Sequence, residues 1–178
     1  MAVIHQATIS PTKLELVTDW LDGAGLGAGP VEMIGGYRFD DPAGEVGVEG
    51  LLARRGDQVF HLPLTYRAAP LPGAEEALVC TMDHSTLGKR WIHHAAADPV
   101  AVACFTRALA GEQEQAELEV HRADGTVDHL EPPVRVRRAG ARLAGELRLT
   151  TDLGMPVTGG ATLVASWDGG EGVVAAQG

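Results

Sequence analysis

Apolar positions along the chain follow two periods, a helical one in two short stretches and strict alternation nearly everywhere else. Leu14, Val17 and Leu21 recur at helical spacing, Leu16 and Trp20 widen the stripe, and Lys13, Thr18, Asp19 and Asp22 fall opposite. The pattern predicts an amphipathic helix over residues 11–21, capped by Ser10 with Pro11 in its first turn, after a β-branched opening over residues 3–9. Residues 100–109 are apolar on nearly every side behind Asp98-Pro99, which predicts a buried helix packed on the concave side of a sheet. Between the helices, residues 31–39, 45–54, 58–68, 78–82 and 89–93 read as strands. Asp40-Asp41-Pro42-Ala43-Gly44 forms the first turn and Arg55-Gly56-Asp57 is short enough for a hairpin. Pro63 lacks a ladder donor and points to an edge strand or a bulge.

From Glu112 onward the pattern is strands only, over residues 116–122, 126–130, 134–138, 145–151, 160–167 and 172–177. Asp124-Gly125 and Trp167-Asp168-Gly169-Gly170 are hairpin signals. The fold class is therefore α+β: an antiparallel sheet packed on a helix, followed by a β-rich C-terminal part. A boundary near Gly111 separates residues 1–111 from residues 112–178, and without a long linker the two parts are expected to pack as one unit.

Composition changes this picture in two ways. Aromatics are only 4% of 178 residues, beside 23 glycines and 10 prolines, so the core must be built from Val, Leu and Ala between tight turns. The net charge of −10 argues against a general nucleic-acid or anionic-membrane binder. No apolar run approaches 18 residues and the opening lacks a leader pattern, so a cytoplasmic location is expected. Cys80 and Cys104 read as small buried hydrophobes, and a disulfide between them is neither required nor forbidden.

Candidate chemistry is sparse. His93 and His94 are neighbours in a strand and point to opposite faces, so one metal cannot take both. There is no HExxH, no paired Cys-His spacing, no GxSxG elbow and no Walker loop, so no catalytic residue, metal or cofactor is assigned. The glycines of residues 23–30 follow a helix and precede a strand, the reverse of a dinucleotide fingerprint, and read as a flexible linker. Arg135, Arg137, Arg138, Arg142 and Arg148 concentrate positive charge behind Glu112, Glu114, Glu117, Glu119, Asp128 and Glu131, which reads as a self-neutralising sheet face.

Three separated segments are distinctive: Tyr37-Arg38-Phe39-Asp40-Asp41-Pro42-Ala43-Gly44-Glu45, His61-Leu62-Pro63-Leu64-Thr65-Tyr66-Arg67 with Pro70-Leu71-Pro72-Gly73, and Met82-Asp83-His84-Ser85-Thr86-Leu87-Gly88-Lys89-Arg90-Trp91 with Asp98-Pro99. Together they resemble the actinobacterial maltokinase N-terminal cap-like family, whose short stand-alone members are often labelled 1,4-α-glucan branching proteins. The resemblance is dense over residues 1–109 and thin beyond. It implies a curved, cystatin-like sheet around a helix, in a chain without the kinase lobes and hence without kinase activity. Two departures are visible: the glycine-rich loop from Gly23 stands where the family carries Trp-Tyr-x-Gly, and Ile92-His93-His94 stands where it tends to read Val-Tyr-Asp.

What the resemblance implies is a non-catalytic accessory module that binds a protein partner, such as a sugar kinase or an enzyme of α-glucan, trehalose or amino-sugar metabolism. Binding of a small carbohydrate or sugar phosphate is the alternative, and an undescribed enzyme using His84 and Asp83 is a third reading. The candidate surface is Tyr66, Arg67, Asp83, His84, Lys89 and Arg90, which offers an aromatic face, hydroxyl and both charge signs. Trp91 is expected to anchor the core, and an exposed edge strand can support a homodimer.

Overall fold

The computed structural model describes residues 2–4, 8–121, 127–141, 145–158 and 160–178. The expected Asp124-Gly125 turn and Arg142 lie outside the described residues. The first strands and helix are β1 (Ala2–Ile4), β2 (Ile9–Ser10) and α1 (Lys13–Gly23). Next come β3 (Val31–Phe39), β4 (Gly47–Arg55), β5 (Gln58–Arg67), β6 (Leu78–His84), β7 (Gly88–His94) and α2 (Pro99–Ala110). The C-terminal part holds β8 (Leu118–His121), β9 (Val127–Leu130), β10 (Arg135–Gly140), β11 (Leu147–Leu149), β12 (Ala161–Trp167) and β13 (Gly170–Gln177).

Six strands form a strongly curled antiparallel sheet in the order β2-β6-β7-β5-β4-β3. A second, four-stranded sheet runs β10-β12-β13-β11, and β1 pairs in parallel with β8 beside β9. The α+β class read from the sequence is the observed one. Its layers follow from strand alternation. Leu51, Ala53, Phe60, Leu62, Leu64, Met82 and Ile92 face α1 and bury Leu16, Val17 and Leu21. On the opposite face Tyr37, Phe39, Val48 and Leu52 pack on Cys104, Phe105 and Leu109 of α2 and on Leu163, Ala165 and Val174 of the second sheet. The second cluster takes its residues from both sides of Gly111.

Both helix starts have local causes. Asp98 caps α2 through its side chain on Val100 N at 3.0 Å, with Pro99 in the first turn, as the sequence predicts. At α1 the cap is Thr12, not Ser10. Thr12 Oγ1 accepts from Glu15 N at 3.2 Å while Thr12 N donates to Glu15 Oε2 at 2.7 Å, a reciprocal capping box. Ser10 instead closes β2 opposite Asp83.

Other expectations are corrected by tertiary contacts. Pro63 sits in an interior strand, at the point where β5 changes partners. His61 N donates to Thr151 O at 2.7 Å, whereas pairing with β7 begins at Leu64. Residues 61, 63 and 65 present their amides on one side, so the missing donor falls in the gap between the two partners. The loop of residues 23–30 is clamped by Arg55, which donates to Gly29 O, Leu26 O and Asp22 Oδ1, and so is not a free linker. Trp91 is only half-buried, with Lys89 Nζ 5.5 Å from its ring centroid, and the core aromatics are Tyr37, Phe39 and Phe105. Both cysteines are free thiols; Cys104 is buried as expected, but Cys80 is half-buried. The arginine face of β10 alternates as expected, but Arg137 pairs with Glu171 of β13 at 3.0 Å and Arg135 with Glu131, while Arg138 donates to Leu109 O.

Gly50 is required by a close approach. A Cβ there would lie 2.4 Å from the ring of Tyr37, which is fully buried. Gly50→Ala is expected to cost about 1–3 kcal/mol by overpacking, read as a Tm lowered by about 2–4 °C per kcal/mol. Gly23→Ala, where nothing lies within 4 Å, is the matched control and is expected to leave Tm nearly unchanged.

Candidate functional site

A cavity of about 1020 Å³ opens on the α1 face of the curled sheet. Its lining runs from Lys13 of α1 through Gly36 and Arg38 of β3, Glu49 of β4 and Tyr66 of β5 to Arg90 of β7, with Leu118, Leu130 and Pro133 on the far side. Gly36 keeps space open, because a Cβ there would press on Gly50 O at 3.0 Å and on Leu51.

Glu49 lies at the base. It shares a face with Leu51 and Ala53 and is 5% exposed, so a carboxylate stands where the strand pattern calls for an apolar side chain. Its Oε1 accepts from Lys13 Nζ at 2.6 Å and from Arg38 Nε at 3.3 Å, and its Oε2 accepts from the Tyr66 hydroxyl at 2.8 Å. Burial alone would raise its pKa; the charges of Arg38 and Lys13 and the hydrogen bonds from Lys13 and Tyr66 outweigh burial and hold it at about 2. The hydroxyl of Tyr66 is correspondingly pushed well above its ordinary value, by burial first and then by the neighbouring Glu49 charge. Glu49, Lys13 and Arg38 were missed as site residues. The signal available in the sequence was a charged residue at an inward strand position.

The six residues named from sequence do not form one surface. Tyr66, His84 and Arg90 line the cavity. Arg67, Asp83 and Lys89 belong to the opposite face: Arg67 pairs in register with Trp91, and Asp83 with Lys89. The reason is the rule that separates His93 from His94. Tyr66 and Arg67, Asp83 and His84, and Lys89 and Arg90 are adjacent in their strands, so each pair must diverge. At the hairpin end the divergence narrows, and Asp83, His84 and Lys89 line a small open depression of about 250 Å³ with Ser85 and Gly88.

Several of these groups make hydrogen bonds within the fold. Arg67 Nε and Nη2 donate to Asp98 Oδ2 and Oδ1 at 2.6 and 2.7 Å, and Asp98 is fully buried. Burial would raise the Asp98 carboxyl, but the Arg67 hydrogen bonds and the cap to Val100 hold it below its ordinary value. His84 Nδ1 accepts from Thr86 N and Leu87 N at 3.2 and 3.1 Å, shaping the β6–β7 turn. Among the described residues no three His, Cys, Asp or Glu side chains converge as metal ligands. No described helix is long and apolar enough to cross a membrane.

A curled antiparallel sheet with a helix on each face, whose cleft carboxylate is neutralised by its own lysine and arginine, defines an α+β module. Residues 17–98 match the family model of the maltokinase N-terminal cap domain, to which this stretch is similar. The match is to the cap and not to a catalytic kinase domain. It runs from within α1 to Asp98, the residue that caps α2, and the second sheet lies beyond it. No curated protein and no solved structure matched the chain.

Proposed function

We propose that the chain is a non-catalytic accessory module that acts by docking on a protein partner, a sugar kinase or another enzyme of α-glucan, trehalose or amino-sugar metabolism in the cytoplasm. The observation that carries this reading is the commitment of ionisable groups in and beside the distinctive segments to the fold itself. Glu49 is spent on Lys13, Arg38 and Tyr66, Asp98 on Arg67, and His84 Nδ1 on two backbone amides. A general acid or base needs a group poised to exchange a proton with a substrate, and a carboxylate held at about 2 is a poor one near neutral pH. The exposed alternative is the β6–β7 tip, where Leu87 is 47% exposed beside Asp83, His84 and Lys89, an apolar contact with a charged rim. A neutral sugar is less well served, since the Trp91 ring lies under Lys89 and the Tyr66 hydroxyl is held by Glu49.

The test is biolayer interferometry of the purified chain against a maltokinase-type sugar kinase with its own cap removed. Saturable binding that Leu87→Asp weakens about tenfold, or about 1.4 kcal/mol, is the expected result. Phosphate transfer from ATP to maltose or glucosamine by the chain alone, lost in His84→Ala, would overturn the reading in favour of an enzyme.

A further inference from the structure

The β6–β7 tip that presents Leu87 is shaped by two side chains of its own hairpin. His84 Nδ1 accepts from Thr86 N at 3.2 Å and from Leu87 N at 3.1 Å, so a single imidazole lone pair serves two backbone amides. On the other side of the same residue, Arg90 Nη2 donates to Leu87 O at 2.8 Å. Leu87 is thus held at both its amide and its carbonyl while its side chain is 47% exposed. The base of the turn is pinned separately. Ser85 N donates to Thr8 O at 3.0 Å, and Thr8 N donates to Ser85 Oγ at 3.1 Å.

Because Nδ1 accepts, the proton of the neutral ring lies on Nε2, and a second proton can go only onto the lone pair that the two amides share. The imidazolium would then set an N–H against two N–H groups. An imidazole ordinarily takes that proton at about pH 6.5. Asp83 and Lys89 flank His84 at the small depression, and Lys13, Arg38, Arg90, Asp40, Asp41, Glu45, Glu49 and Glu131 share the larger cavity with it. Carboxylates, lysines and arginines ordinarily keep their charge through that range, and among the described lining residues of both hollows His84 is the only imidazole.

We propose that His84 is a pH-sensitive latch on the docking tip: neutral, it holds Thr86 and Leu87 in the presented turn, and protonated, it releases their amides and weakens the hold on a partner protein. The change is confined to the end of the turn, because the bonds between Ser85 and Thr8 do not involve the imidazole. The consequence for binding rests on the docking at this tip proposed above, whereas the latch itself rests on the hairpin alone.

Two measurements test the latch. In the chain alone, amide and imidazole NMR between pH 8 and pH 5 is expected to show the Thr86 and Leu87 amides shifting together with the His84 ring nitrogens. Nδ1 is expected to start as the unprotonated nitrogen, and the Ser85 amide to move little. In biolayer interferometry against the sugar kinase with its own cap removed, affinity is expected to fall about tenfold from pH 8 to pH 5.5, the scale of two ordinary hydrogen bonds. The side-chain oxygen of His84→Asn can accept the same amides and does not titrate. In that variant the ratio of the two affinities is expected to stay close to unity, and it shares any pH response of the kinase or of the rest of the fold. Thr86 and Leu87 amides that do not follow the His84 titration, or the same pH dependence in wild type and His84→Asn, would overturn the proposal. Amides that follow it in a chain that binds no kinase at either pH would support the latch and count against the docking reading instead.

Discussion

Asp98→Ala is expected to destabilise the protein by about 2–4 kcal/mol, the combined loss of a helix cap and of the charge-assisted pair with Arg67, whose side chain is 22% exposed. Two functions meet on this carboxylate. It caps α2 through Val100 N, it takes both guanidinium nitrogens of Arg67 in a bidentate pair, and it is fully buried while doing so. Removing it strands the Arg67 charge against the sheet and frees the first turn of the helix that carries Cys104, Phe105 and Leu109 into the core. Loss of the cap alone is worth about 1 kcal/mol, so the stranded arginine dominates. The measurement is urea denaturation of Asp98→Ala beside Arg67→Ala and the double variant. The double variant is expected to be more stable than the sum of the two single losses predicts, because it leaves no charge unpaired. Strict additivity would show that the pair is not coupled.

Acid is expected to unfold the protein in two stages. His61 is fully buried between the Tyr37 hydroxyl, 2.9 Å from its Nε2, and Thr150 O, 2.8 Å from its Nδ1. The Thr150 carbonyl can only accept, so Nδ1 carries the proton and Nε2 accepts from Tyr37. Burial lowers the pKa from 6.5 to about 4, against a smaller opposing effect of the Thr150 bond. With the folded value below the unfolded one, the unfolded chain binds the extra proton first. Stability is therefore whole above pH 6.5 and declines as pH falls towards 4, by ~3 kcal/mol for this group. Glu49 acts in the next window. Its folded value of about 2 lies below the ordinary 4.5, so its contribution is present above 4.5 and is lost between 4.5 and 2, again ~3 kcal/mol. His94, half-buried against Trp20, is also lowered by burial and adds to the first stage in the same direction. Urea midpoints measured from pH 8 to pH 3 check this. His61→Gln is expected to flatten most of the slope between pH 6.5 and 4 and to leave the lower stage, whereas Glu49→Gln is expected to flatten the lower stage. A slope unchanged by His61→Gln would contradict the first assignment.

The sequence by itself determined the elements, because their causes are local. Strand β3 begins and ends where alternation and its flanking turns place it, α2 starts at Asp98-Pro99, and the α+β class follows from two helical stretches among many alternating ones. It also determined which side chains of a strand cannot meet, since period-two alternation separates Tyr66 from Arg67 as surely as His93 from His94. Tertiary structure alone decided what those faces meet. Arg55 reaching back over the glycine loop, Arg67 finding Asp98 and His61 finding Thr150 join residues 26 to 89 positions apart, and no window of local pattern contains both members of any such pair. The cavity belongs to the same class. The sequence held a hint of it in the charge of Glu49 at an inward position, but only the curl of the sheet, which brings Lys13, Arg38 and Tyr66 onto one carboxylate, turned that misplaced charge into the floor of a site.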